Sequence, residues 1–137
     1  MLHALIVLAL PTALALTPPS GWMLSSPDRA ERVPGDPLQG EILSVTALDG
    51  SASTLSLRLL EQGLSVQQSA LDGDRLNLVL SDGRLGRASW EASDGCWLVL
   101  LVDPSHASQM DPDALLHSAR DTSETVASGS AWGGDVE

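Results

Sequence analysis

The chain has 137 residues, enough for one domain with some length left for a leader or a tail. Hydrophobic residues make up 43% of it, which excludes a wholly disordered chain, and its only aromatic side chains are four tryptophans. Eighteen acidic against seven basic residues give a formal net charge of -11, which excludes a nucleic-acid or anionic-lipid surface, since either needs basic groups.

Met1 to Leu16 reads MLHALIVLALPTALAL. The apolar run from Ala4 is shorter than the roughly 20 residues that span a bilayer. Ala13-Leu14-Ala15 is a small-x-small cleavage site, so a signal peptide over residues 1–15 is expected, with a periplasmic or secreted chain after processing and no transmembrane anchor. The amino-terminal flank carries His3 but no Lys or Arg. The competing expectation is a buried N-terminal strand or helix.

Thr17 to Gly40 is rich in proline, including Pro18-Pro19, and reads as an extended linker over 16–40, from which Trp22, Met23 and Leu24 pack onto the domain. From Glu41 the punctuation changes to Asp-Gly, at Asp49-Gly50, Asp72-Gly73, Asp82-Gly83 and Asp94-Gly95, with Gln62-Gly63 as a further break. Asp-Gly supplies the positive φ of a type I′ hairpin turn, so each pair reads as a strand reversal. The runs between them predict six strands: Glu41–Leu48, Thr54–Leu60, Leu64–Ala70, Arg75–Leu80, Arg84–Glu91 and Cys96–Val102. Leu55, Leu57 and Leu59 alternate with polar residues, as do Leu76, Leu78 and Leu80, which is the period of a half-buried strand. The last run is apolar on both faces and suits the centre of the packing. The expected fold is all-β, a small antiparallel β-sandwich over 41–103 or, as an alternative, a small barrel.

After Asp103 the pattern stops. Asp111 as N-cap and Pro112 at the first helical position predict a short helix to about Arg120 that lays Leu115 and Leu116 on the sheet. Thr122 to Glu137 is rich in Ser, Gly and acid and reads as a disordered tail.

Catalytic chemistry finds no motif. There is no G-x-S-x-G, the single Cys96 has no histidine near it in sequence, and His106 and His117 with Asp103, Asp111 and Asp113 match no metal-ligand spacing. Asp72-Gly73-Asp74 lacks the rest of a calcium loop. No enzyme, cofactor or metal is expected. One cysteine also permits no intrachain disulfide, and Cys96 reads as a small apolar residue opening a buried strand.

The candidate ligand-binding residues are Arg84, Arg87 and Trp90 on one short strand, with Arg75 on the strand before it. An indole beside guanidinium groups can hold sugar rings and carboxylates by stacking and bidentate hydrogen bonds. The plainer reading has Trp90 closing the core while the arginines neutralise nearby Asp and Glu.

The order Ile42-Leu43-Ser44-Val45, then Leu55, Leu57 and Leu59, then Leu71 and Arg75-Leu76-Asn77-Leu78-Val79-Leu80 resembles the first half of an AMIN domain. The stretch RLGRASWEASDGCWLVLLVD resembles that family's second half. The likeness covers Glu41 to Asp103. It departs from the pattern at Gly73-Asp74, where a proline usually precedes the arginine, and at Gly95-Cys96, where an arginine is usual. The resemblance implies a two-sheet sandwich of the bacterial periplasm that binds peptidoglycan and localises its host protein. With no amidase or secretin sequence attached, it implies a non-catalytic module that associates with peptidoglycan or a cell-envelope complex. The alternatives are an assembly subunit that docks on a partner protein or on a second copy, and a small ligand-binding barrel.

Overall fold

The computed structural model describes residues 15–33 and 35–120. The expected signal peptide and acidic tail lie outside these residues, apart from Ala15. Cys96–Val102 is buried at every position and forms strand β7, the fourth of seven strands in spatial order. Its neighbours are β1 (Trp22–Ser26), β2 (Arg29–Arg32) and β3 (Gly40–Thr46) on one side. On the other side come β6 (Leu85–Glu91), β5 (Arg75–Leu80) and β4 (Val66–Asp72). The order is β1-β2-β3-β7-β6-β5-β4, and every neighbouring pair is antiparallel. The protein is thus mostly β, as its alternation and Asp-Gly breaks predict. The strands join in one sheet rather than dividing between two, and among the described residues β1 and β4 are its edges.

A central strand that is apolar on both faces needs cover on both. On the first face Leu43, Val45, Leu76, Leu78, Leu80, Trp97, Val99 and Leu101 pack under Leu55 and Leu59 of helix α1 (Ala52–Glu61). On the second, Ile42, Leu98, Leu100 and Val102 pack with Trp22, Ala30, Leu16 and Leu116. Leu116 comes from α3 (Pro112–Ser118), which follows the four-residue α2 (Pro104–Ala107). Asp111 caps α3 by accepting from the Ala114 amide, and Pro112 stands at its start, as the sequence predicts. No helix among the described residues is long and apolar enough to cross a membrane.

Two expectations are overturned. The run Thr54–Leu60 lies in helix α1, not in a strand. Leu55 and Leu59 are four apart and fully buried, while Leu57 between them is 55% exposed, which is helical rather than alternating burial. The flanking residues favour the helix. Ser51 accepts from the Thr54 amide as N-cap. Gly63, at φ +83°, ends it, its amide donating to the Leu60 carbonyl and that of Leu64 to Leu59, the two bonds of a Schellman turn. Asp49-Gly50 is therefore a strand-to-helix junction. Gly50 lacks a positive φ and is required for contact instead, since a Cβ there would sit 2.9 Å from the Trp90 ring.

The segment 16–40, expected as a linker, supplies β1 and β2. Pro27 sits between these strands and Pro37 after β2, so the prolines occupy connections and leave the strands' donors free. Trp22 and Ala30 then bury 94% or more of their surface on the second face, and the Leu16 amide donates to the Pro27 carbonyl at 2.9 Å. The hairpin turns also differ from type I′, because no non-glycine residue among those described has positive φ. Gly73 is the first of two loop residues between Asp72 and Arg75, the position that type II′ assigns to glycine.

Candidate functional site

Arg75 and Arg87 lie on the second face of the sheet, diagonally across the paired strands β5 and β6, with Arg75 opposite Ser89 and Arg87 opposite Asn77. Arg87 stands opposite Leu100, and four of the five N–H donors of its guanidinium are spent on side chains of the protein itself. Its Nε and Nη2 donate to the two carboxylate oxygens of Asp113 at 3.0 and 3.1 Å, a bidentate fork onto the first turn of α3. Nη1 donates to Asp72 at 2.7 Å and to Asn77 Oδ1 at 2.8 Å. Arg75 adds ion pairs to Asp74 at 3.1 Å and Asp113 at 3.5 Å. The Arg87 hydrogen bonds, with the Arg87 and Arg75 charges beside them, hold the Asp113 carboxyl below its ordinary range. The same bonds, to Asp113 first and Asp72 next, hold Arg87 above its own. Two arginines face three carboxylates here, so the cluster carries no surplus positive charge for an anionic ligand.

Arg84 is not part of this cluster. It precedes β6 and pairs with Asp82 at 2.9 Å and with Glu41 of β3 at 3.2 Å. Its hydrogen bonds depress the Asp82 carboxyl. Six residues of strand, about 20 Å, separate it from Trp90. Trp90 is opposite Trp97, on the first face, with ring centroids 5.4 Å apart at 57°. Three positions from Arg87 along a strand, it necessarily points to the other side of the sheet. Trp90 packs half-buried against the first core, beneath Gly50. The four candidate residues therefore fall into three places. Only Arg75 and Arg87 meet, and no stacking face with guanidinium partners is assembled from them.

A concavity does open beside Arg87. It has a volume of about 190 Å³ and lies between the second face of the sheet and the α2–α3 connection. Leu85, Leu100 and Val102 form its floor, and Ala107, Met110 and Pro112 its roof. Asn77 and Arg87 are its polar edge. Asn77 is exposed and spends its Oδ1 on Arg87, which directs acceptor capacity inward and leaves the carboxamide NH₂ as a donor at the rim. The roof is held by capping bonds, Asp103 Oδ1 to the Ser105 amide at 2.9 Å and Asp111 Oδ1 to the Ala114 amide at 3.2 Å. His106 accepts from the Gln39 amide at 3.0 Å and ties α2 to the start of β3.

Sequence reasoning does not find the roof residues. Ala107 and Met110 are isolated apolar positions in a polar stretch, and that isolation is their only signal. Among the described residues no cluster of His, Cys, Asp and Glu could hold a metal ion. Cys96 is buried on β7. No family model matches the chain, and neither a curated protein nor a solved structure matches it.

Proposed function

We propose that the chain is an exported, non-catalytic binding module of the cell envelope, whose ligand is a small, neutral, largely apolar molecule held between β6, β7 and the α2–α3 connection. The pocket beside Arg87 carries this reading. Its 190 Å³ admits one ring or a short aliphatic chain, somewhat more than the roughly 150 Å³ that hold benzene in an engineered cavity. An apolar body with one hydroxyl or carbonyl at the Asn77 rim satisfies both its walls and its edge. The surrounding carboxylates disfavour an anion. The short apolar leader and the AMIN-like order of motifs support export and an envelope location. Peptidoglycan as the ligand has less support, because Trp90 and Arg87 point away from each other.

Cyclohexanol and hexanoate are the probes, with methyl chemical shifts as the readout. Cyclohexanol is expected to move the Met110, Leu85 and Val102 methyl signals saturably, at a Kd of about 1 mM, or roughly -4 kcal/mol. Hexanoate is expected to bind at least about tenfold more weakly, from the repulsion of Asp72 and Asp113. Ala107→Leu fills the roof and is expected to abolish the shifts. Equal binding of both probes, or no saturation by either, contradicts the proposal.

A further inference from the structure

We propose that Met110 sets how long an apolar ligand the site accepts, a role that rests on the binding reading above. Met110 lies in the bend between α2 and α3, half-buried and packed against the second core. It lines the pocket beside Arg87, and it also lines a second cavity of about 460 Å³. That cavity is bounded by Pro19 and Ser20 before β1, by Arg32 of β2, and by Ala114 and Leu115 of α3. Among the described residues Met110 alone lines both, so it is the wall between them.

The strand order sets the two cavities in line across the second face. The first runs from Asn77 on β5 to Leu100 and Val102 on β7, and the second continues toward Arg32 on β2. β5 and β2 each stand two strands from β7, about 10 Å at the usual strand spacing. A linear chain whose hydroxyl accepts from the Asn77 carboxamide therefore points its far end at Met110. The second cavity suits an uncharged continuation of that chain. Arg32 is ion-paired with Asp36 and lies 5.6 Å from the centre of the Trp22 ring. The Asp111 carboxylate, also on the cavity wall, is the cap of α3.

Each methylene moved from water into apolar surroundings tightens binding about fourfold. Turning the half-buried Met110 side chain out into water costs about as much as burying two methylenes gains. Affinity should therefore climb with chain length until the first cavity is full, and then stop. Beyond that length the added methylenes either stay in water or displace Met110, and neither gains anything. Met110→Ala joins the two cavities and removes the stop.

Dissociation constants of the linear alcohols butanol, hexanol and octanol, read from methyl chemical shifts of the full chain, test this role. The wild type is expected to bind hexanol about 15-fold more tightly than butanol, and octanol within about twofold of hexanol. In Met110→Ala the step from hexanol to octanol should recover to about 15-fold. Octanol should then also shift the Ala114 and Leu115 methyl signals, which it leaves in place in the wild type. Met110→Leu, similar in volume, should keep the wild-type stop. Circular dichroism of each variant establishes that it is folded. A wild-type affinity that climbs equally through octanol overturns the proposal, as does a stop that survives in folded Met110→Ala; either result leaves the pocket itself standing. Failure of hexanol to bind the wild type overturns the pocket, and the role of Met110 with it.

Discussion

Leu57 and Leu59 separate helix from strand within one short run. In a strand, Leu55, Leu57 and Leu59 share one face, and shortening any of them costs about the same. In helix α1, Leu59 is wholly buried against the first core while Leu57 stands 55% exposed. Leu59→Ala removes a buried isobutyl group and leaves a cavity between α1 and the first face of the sheet, at a cost of about 3 kcal/mol, within the roughly 2–5 kcal/mol range for such changes. For a domain of this size each kcal/mol moves the melting temperature by roughly 4–8 °C, so Tm should fall by about 12–24 °C. Leu57→Ala removes a side chain that is mostly in water and places the best helix former at an exposed helical position. Its effect should lie within about 0.5 kcal/mol of zero. Urea titrations followed by tryptophan fluorescence give both values, and unchanged slopes show that the denatured state is not the source of the difference. Equal losses from the two substitutions would refute the helix and restore the strand.

Trp90→Ala should cost about 3 kcal/mol, the low end for a large aromatic because one side of the ring is exposed, and should leave retention of the folded protein on insoluble peptidoglycan unchanged. Selective loss of retention at full stability would contradict its place in the core. Because Asp113 has a lowered carboxyl pKa in the folded state, the stabilisation from its pairing with Arg87 is complete above the unfolded value near 4. It is lost as pH falls through the lower folded value. The stability gap between wild type and Asp113→Asn should thus be full above about pH 4 and narrow as pH falls below it, and a gap that does not change across that range contradicts the pairing. Protein recovered from its native host should begin at or near Leu16 by intact mass, and a chain that keeps Met1 in the cytoplasm contradicts export.

The parts of the fold legible in the sequence are those where two signals agree. β5 has alternation and flanking Asp-Gly pairs, β7 is apolar on both faces and central, and α3 has both an Asp N-cap and a Pro start. α1 is misread because its leucines at 55, 57 and 59 satisfy a period of two, while the helical spacing rests on 55 and 59 alone. The deciding marks are Ser51 three residues before Thr54 and Gly63 after the last turn, which are caps rather than hydrophobic pattern. β1 and β2 are hidden because proline density describes their connections, not their four- and five-residue cores. The odd separation of Arg87 and Trp90 already places them on opposite sides of any strand. The pocket is illegible for another reason. Its floor and roof join β6 and β7 to Ala107 and Met110, and only the docking of α3 through Asp113 and Leu116 brings them together.

Intermolecular NOEs from cyclohexanol to the protein's methyl groups test the binding reading most directly. NOEs are expected from the ring protons to Met110 on the roof and to Leu85 and Val102 on the floor, all in one bound pose. They should vanish in Ala107→Leu. NOEs confined to exposed leucines such as Leu48 or Leu71, or spread over the surface with none to Met110, would contradict a ligand pocket beneath the α2–α3 connection.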